Sequence, residues 1–107
     1  MKNLLCATLF FLPFCSEAGE LVRNAVITEV ASSSSNKDVF YVKLEGGSGP
    51  CANGSVEFPA NKSQSEQSYN QAFSIALAAA MSGKKIRIHN YSNNECSGAN
   101  FIGIYTK

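Results

Sequence analysis

Two cysteines, Cys51 and Cys96, limit what this chain can become more than any other feature. The sequence holds four, and the other two, Cys6 and Cys15, sit in a stretch that reads as a leader. Met1-Lys2 opens that stretch with a positive charge, and Leu4 to Phe14 is apolar apart from Thr8 and Pro13. Ser16-Glu17-Ala18 then places small residues at the −3 and −1 positions of a cleavage site. Cleavage is expected after Ala18. A membrane span needs roughly 20 apolar residues, about twice this run, and bulky Phe14 suits lipoprotein processing at Cys15 poorly. Export places Cys51 and Cys96 in an oxidising compartment, where a single intramolecular pairing is open to them. Closing a loop of about 45 residues stabilises a fold by roughly 4 kcal/mol on the chain-entropy argument. That matters in a chain whose core is small.

Removing residues 1–18 takes away one base, Lys2, and one acid, Glu17, so the formal net charge stays +1. Residues 19–107 read as one small domain. A hydrophobic share of 45% with only 16% charged residues excludes a disordered chain and a strongly basic nucleic-acid binder. No membrane association is expected once the leader is gone.

Residues 21 to 31 are rich in β-branched types and read as a first strand. Ser32 to Asp38, almost wholly Ser, Asn and Asp, reads as a turn. Val39 to Glu45 reads as a second strand with Phe40, Val42 and Leu44 on its buried face. Gly46-Gly47-Ser48-Gly49-Pro50 reads as a flexible turn into Cys51, and a short third strand is expected at 55–58. A helix follows over Tyr69 to Ser82, with Ser68 as N-cap and Gln71 completing a capping box, or an earlier start at Ser63 with Glu66. Its expected core stripe is Tyr69, Ala72, Phe73, Ala76, Leu77, Ala80 and Met81, and Gly83 is placed to end it. Lys85 to Tyr91 alternates: Ile86 and Ile88 point inward, while Lys85, Arg87, His89 and Tyr91 share a wet face. A last strand is expected over 101–106.

The order β-β-β-α-β-β defines a mainly β fold with one helix. A five-stranded OB-like barrel plugged by the helix buries both the strand faces and the Ala-rich helix most economically. A helix packed on an open sheet is the alternative.

No chemistry-bearing constellation emerges from these residue types. A nucleophilic triad needs a base and a group to orient it, and His89 is the one histidine, set on a polar strand face. Metal sites lack their ligand spacings, so no metal or cofactor is implied. The acids are scattered, without the pairing that glycoside hydrolysis requires. No enzyme is expected. Lys84, Lys85, Arg87 and His89 form the basic cluster, but export and the near-zero charge speak against nucleic acid as partner. Lys85, Arg87, His89 and Tyr91 are instead the candidate ligand-facing residues, since rings and polar groups together suit a sugar. Asn53-Gly54-Ser55, Asn61-Lys62-Ser63 and Asn90-Tyr91-Ser92 match the glycosylation acceptor pattern, as chance predicts in so Asn/Ser-rich a chain.

The Ala-rich helix running into Ser82-Gly83-Lys84-Lys85-Ile86-Arg87-Ile88 resembles a helix-to-strand segment of the B subunits of subtilase-type cytotoxins. With Cys51 after a Gly-rich turn, Ala72-Phe73-Ser74-Ile75-Ala76, Arg87-Ile88-His89-Asn90-Tyr91 and Phe101-Ile102-Gly103, the chain also resembles a family of small exported bacterial proteins of uncharacterised function. The toxin resemblance implies a barrel, ring-shaped pentamers and glycan recognition. Those B subunits are longer and carry Trp, which this chain lacks, so the fold is carried over and no sugar-contact residue is. The expected function is that of an exported binding module for a glycan or another protein. A toxin B-subunit-like homo-oligomer and an inhibitor of an extracellular enzyme are the alternatives.

Overall fold

The computed structural model describes residues 19–33 and 38–107. The expected leader, 1–18, and residues 34–37 of the expected Ser/Asn turn lie outside the described residues. The elements are β1 (Glu20–Ser33), β2 (Val39–Glu45), β3 (Ser55–Pro59), a short 3₁₀ turn (Ala60–Lys62), α1 (Glu66–Ser82), β4 (Lys85–His89) and β5 (Phe101–Ile104). They follow the order expected from the sequence. All strands join one antiparallel sheet in the spatial order β3-β2-β1-β4-β5.

β1 is the spine. Its first half pairs with β4 and its second half with β2, and the register shifts at Glu20/Val22, Arg23/Ala25 and Ile27/Glu29. Bulges bend a strand and sharpen its twist, which lets one 14-residue strand serve two neighbours in different directions. Asn24 sits at the middle shift with φ 63°, a conformation that Asn tolerates better than most residues.

The sheet folds over a core fed by alternation. Phe40, Val42 and Leu44 are buried from β2, as their spacing predicts, together with Val56 and Phe58 from β3 and Ile86 and Ile88 from β4. Phe40 is the centre of an aromatic cluster. It stacks on Phe58 at 4.6 Å and meets Phe73 edge-on at 5.2 Å and Tyr69 at 5.5 Å.

The helix departs from expectation at its start and in its inward face. Its N-cap is Ser65, whose Oγ accepts the Ser68 N–H at 3.1 Å, and neither Ser68 nor Ser63 caps it. The Ser-rich approach offers several hydroxyls, and Ser65, extended at φ −155° and immediately ahead of Glu66, takes the role. Ala76 and Ala79 are fully buried, whereas Leu77 and Met81 are 44% and 81% exposed. Tyr69, Ala72, Phe73, Ala76 and Ala80 of the expected stripe do pack on the core, Ile75 and Ala79 join them, and Leu77 and Met81 turn outward. Where α1 passes Phe40 it contributes the rings of Tyr69 and Phe73, and its buried Ala76 and Ala79 suit the close approach of its backbone to β1 and β5. Gly83 ends α1 as expected, in the left-handed region at φ 70° with its N–H donated to the Ala79 carbonyl.

Cys51 and Cys96 form the expected disulfide, their Cα atoms 5.9 Å apart. The Cys51 N–H donates to the Leu21 carbonyl at 2.9 Å, so the bridge ties the start of β1 to the loop before β5. The Gly-rich segment ahead of it is not a free turn. Ser48 exchanges backbone bonds with Arg23 in both directions, at 2.9 and 3.0 Å, which holds the segment on β1.

The sheet is not closed, because β3 and β5 share no ladder. The Glu57 N–H instead donates to the Cys96 carbonyl at 2.8 Å, and the Glu57 carbonyl accepts the Ala99 N–H at 3.0 Å. The loop leading to β5 therefore occupies the edge of β3.

Candidate ligand-binding face

The outer side of β4 and β5 gathers three of the four residues expected to face a ligand. Arg87, His89 and Tyr91 converge on Phe101, which lies opposite His89 in the β4–β5 register. Lys85 does not join them. It stands exposed at the other end of β4, beside Gly83, Tyr105 and Lys107.

His89 is buried rather than wet, at 8% exposure. Its ring meets Phe101 edge-on at 5.4 Å and tilts against Tyr91 at 5.9 Å. Cross-strand neighbours explain the difference: Phe101 pairs with it on one side and Glu20 on the other. Side chains on adjacent strands cover a position that alternation along one strand assigns to solvent. Its Nε2 is enclosed and has no hydrogen-bond partner among the described residues.

The Arg87 guanidinium lies 5.0 Å from the centroid of the Phe101 ring, a cation–π geometry. Gly103, directly opposite Arg87, makes room for it. A Cβ at that position would stand 3.4 Å from the ring's Cζ and 3.7 Å from the Arg87 Nε. Phe101 is the member of this face that sequence reasoning missed. Its signal was the alternation of the last strand, in which Phe101 and Gly103 share the side opposite Ile102 and Ile104.

Tyr91 stands at the rim, 71% exposed, with its ring 6.1 Å from Phe101. Its base is firm. The Tyr91 N–H donates to Asn100 Oδ1 at 3.0 Å, and its neighbour Asn90, 1% exposed, organises the loop that follows. Asn90 Oδ1 accepts the N–H groups of Ser92 (2.9 Å) and Asn93 (3.2 Å). Its Nδ2 donates to Asn93 Oδ1 (2.7 Å) and to the Glu95 carbonyl (3.0 Å). The Asn90-Tyr91-Ser92 acceptor pattern is therefore a structural motif, with the amide turned inward.

A groove of about 690 Å³ lies elsewhere, along the side of α1 lined by Glu66, Gln67, Asn70, Gln71, Ser74 and Ile75. It is the flank of a single helix. The aromatic face presents an exposed ring and an adjoining cation, which are the stronger recognition chemistry.

Residues 3–106 match a family of unknown function, DUF5992. The chain belongs to that family. No curated protein and no solved structure matches it. Membership in a family without an assigned function agrees with the resemblance drawn from Cys51, Arg87–Tyr91 and Phe101–Gly103. In this DUF5992 protein the platform sits on the family-matched stretch, as does the disulfide.

Proposed function

We propose that this DUF5992 protein is a small exported binding module that recognises a carbohydrate through Arg87, His89, Tyr91 and Phe101. The observation that carries the reading is the Tyr91 ring, 71% exposed on a loop fixed by Asn90 and Asn100. A large, solvated ring costs free energy unless something stacks on it, and a rigid base lowers the entropy lost on binding. The apolar face of a sugar ring fits that surface, while Arg87 supplies hydrogen-bond donors at its edge. The leader-like first 18 residues and the disulfide support export. The two backbone bonds of Glu57 to the loop before β5 support an OB-like barrel, completed there by loop rather than by strand pairing.

The test is binding of the oxidised, processed protein to a panel of immobilised glycans. Specific binding that falls at least about fivefold in Tyr91→Ala, with unchanged melting, is expected if stacking contributes on the order of 1–3 kcal/mol. Binding to no glycan, or binding indifferent to Tyr91→Ala, overturns the reading.

A second reading, a toxin B-subunit-like pentamer, draws on the outward Leu77 and Met81 of α1. Exposed apolar side chains on one helix suit a contact between copies. The mass in solution decides it, since a monomer by light scattering removes this reading and leaves the first standing.

A further inference from the structure

We propose that Gly19, released as the first residue of the mature chain, seats its α-ammonium on Asn94 and so locks the loop that carries Tyr91. The proposal rests on the reading that the leader is removed after Ala18. The lock does not depend on any ligand.

Gly19 is buried, and it is held from both sides by a segment far away in sequence. Its N–H donates to Asn94 Oδ1 at 2.6 Å, across a sequence separation of 75. Its carbonyl accepts the Asn90 N–H at 2.7 Å. The approach is too close for any side chain: a Cβ at this position would stand 2.4 Å from the Asn90 carbonyl oxygen. The place of a Cβ is set by the residue's own N, Cα and C atoms, so this restriction outlasts removal of the leader. As an internal residue Gly19 also needs φ +91°, which glycine alone adopts freely.

Cleavage changes the chemistry of the nitrogen. A signal peptidase hydrolyses the Ala18–Gly19 bond with one water: the hydroxyl goes to the Ala18 carbonyl carbon and a proton to the Gly19 nitrogen. The amine formed takes a further proton from solvent at neutral pH. An amide with one N–H becomes an ammonium with three, beside an acceptor already in place. Hydrogen bonds from a charged donor are roughly twice as strong as neutral ones. Asn94 belongs to the same loop that Asn90 organises through Ser92, Asn93 and Glu95. Fixing Asn94 therefore fixes the segment that follows Tyr91.

The full chain is expressed with its leader in an exporting bacterial host, and N-terminal sequencing of the product reads the first residue. A first residue other than Gly19 overturns the leader reading and the lock with it. With Gly19 first, hydrogen exchange at the Ser92, Asn93 and Glu95 amides is compared with two variants. One carries a serine inserted between Ala18 and Gly19, so that the Gly19 nitrogen stays an amide; the other is Asn94→Ala. Exchange about five- to tenfold faster is expected in each, with no further acceleration on combining them. Equal protection in the serine-extended chain overturns the lock while leaving the leader reading intact. Gly19→Ala supplies an independent check, with the same acceleration expected from the clash with Asn90.

Discussion

Phe40 lies face to face on Phe58, with ring centroids 4.6 Å apart and planes 5° from parallel. The pair joins β2 to β3 and meets the Tyr69 and Phe73 rings of α1 through Phe40. From α1, Tyr69 and Phe73 meet Phe40 at an angle, while Ala72, Ile75, Ala76, Ala79 and Ala80 pack on the core.

Phe40 and Phe73 should therefore differ on truncation. Phe40 is 1% exposed, so Phe40→Ala is expected to cost about 3–5 kcal/mol, the usual range for a buried ring. Phe73 is half-buried at the edge of the cluster, and Phe73→Ala should cost less, about 1–3 kcal/mol. Urea unfolding of both variants measures the difference. A larger loss for Phe73 would mean that the helix, and not the stacked pair, organises this core.

The disulfide acts where the sheet is open. Cys96 accepts the Glu57 N–H and is bonded to Cys51, which itself hangs on Leu21. Replacing both cysteines by serine is expected to lower stability by roughly 4 kcal/mol and to raise amide exchange at Glu57 and Ala99. Unchanged unfolding on reduction would refute the structural role of the bridge.

Ser65 sets the start of α1. Ser65→Ala removes the acceptor of the Ser68 N–H and should cost about 1 kcal/mol, as the loss of an N-cap commonly does. Ser63→Ala, outside the helix, should leave stability within about 0.5 kcal/mol. Thermal melts of the two variants separate the capping residue from its neighbours.

Burial first, and the negative charge of Asp38 second, push the Tyr69 phenol above its ordinary value of 10.0. The unfolded chain then loses this proton at lower pH than the folded one. The stabilisation is complete below about pH 10 and is lost as pH rises from there through the folded-state value. Melting of wild type and Tyr69→Phe should run parallel up to that point and diverge above it, the wild type falling faster. Parallel curves to pH 11 would mean that the phenol is as well solvated folded as unfolded.

Local patterns exposed much of this fold. The boundaries of β2, the Gly83 stop and the inward Ile86 and Ile88 follow from alternation, caps and breakers, which act over a few residues. The candidate face was legible in part, because Arg87, His89 and Tyr91 share one side of one strand. Lys85 shares that side too, yet lies beyond the reach of Phe101 at the far end of β4. Phe101 was invisible as a partner because nothing in the chain states which strand it will lie against.

The sequence by itself determined the element order, the disulfide partners among the described residues and the inward side chains Phe40, Val42, Leu44, Ile86 and Ile88 of β2 and β4, since those depend on periodicity and covalent count. Only the tertiary structure decided which helix face turns inward, whether His89 meets water, and that Gly19 and Asn94 meet at all. Alanines on several sides of α1 leave its rotation open until the helix is seated on β1 and β5. A strand's polar side becomes wet or covered according to its cross-strand neighbours, and those are assigned by sheet order and register, which no single segment contains.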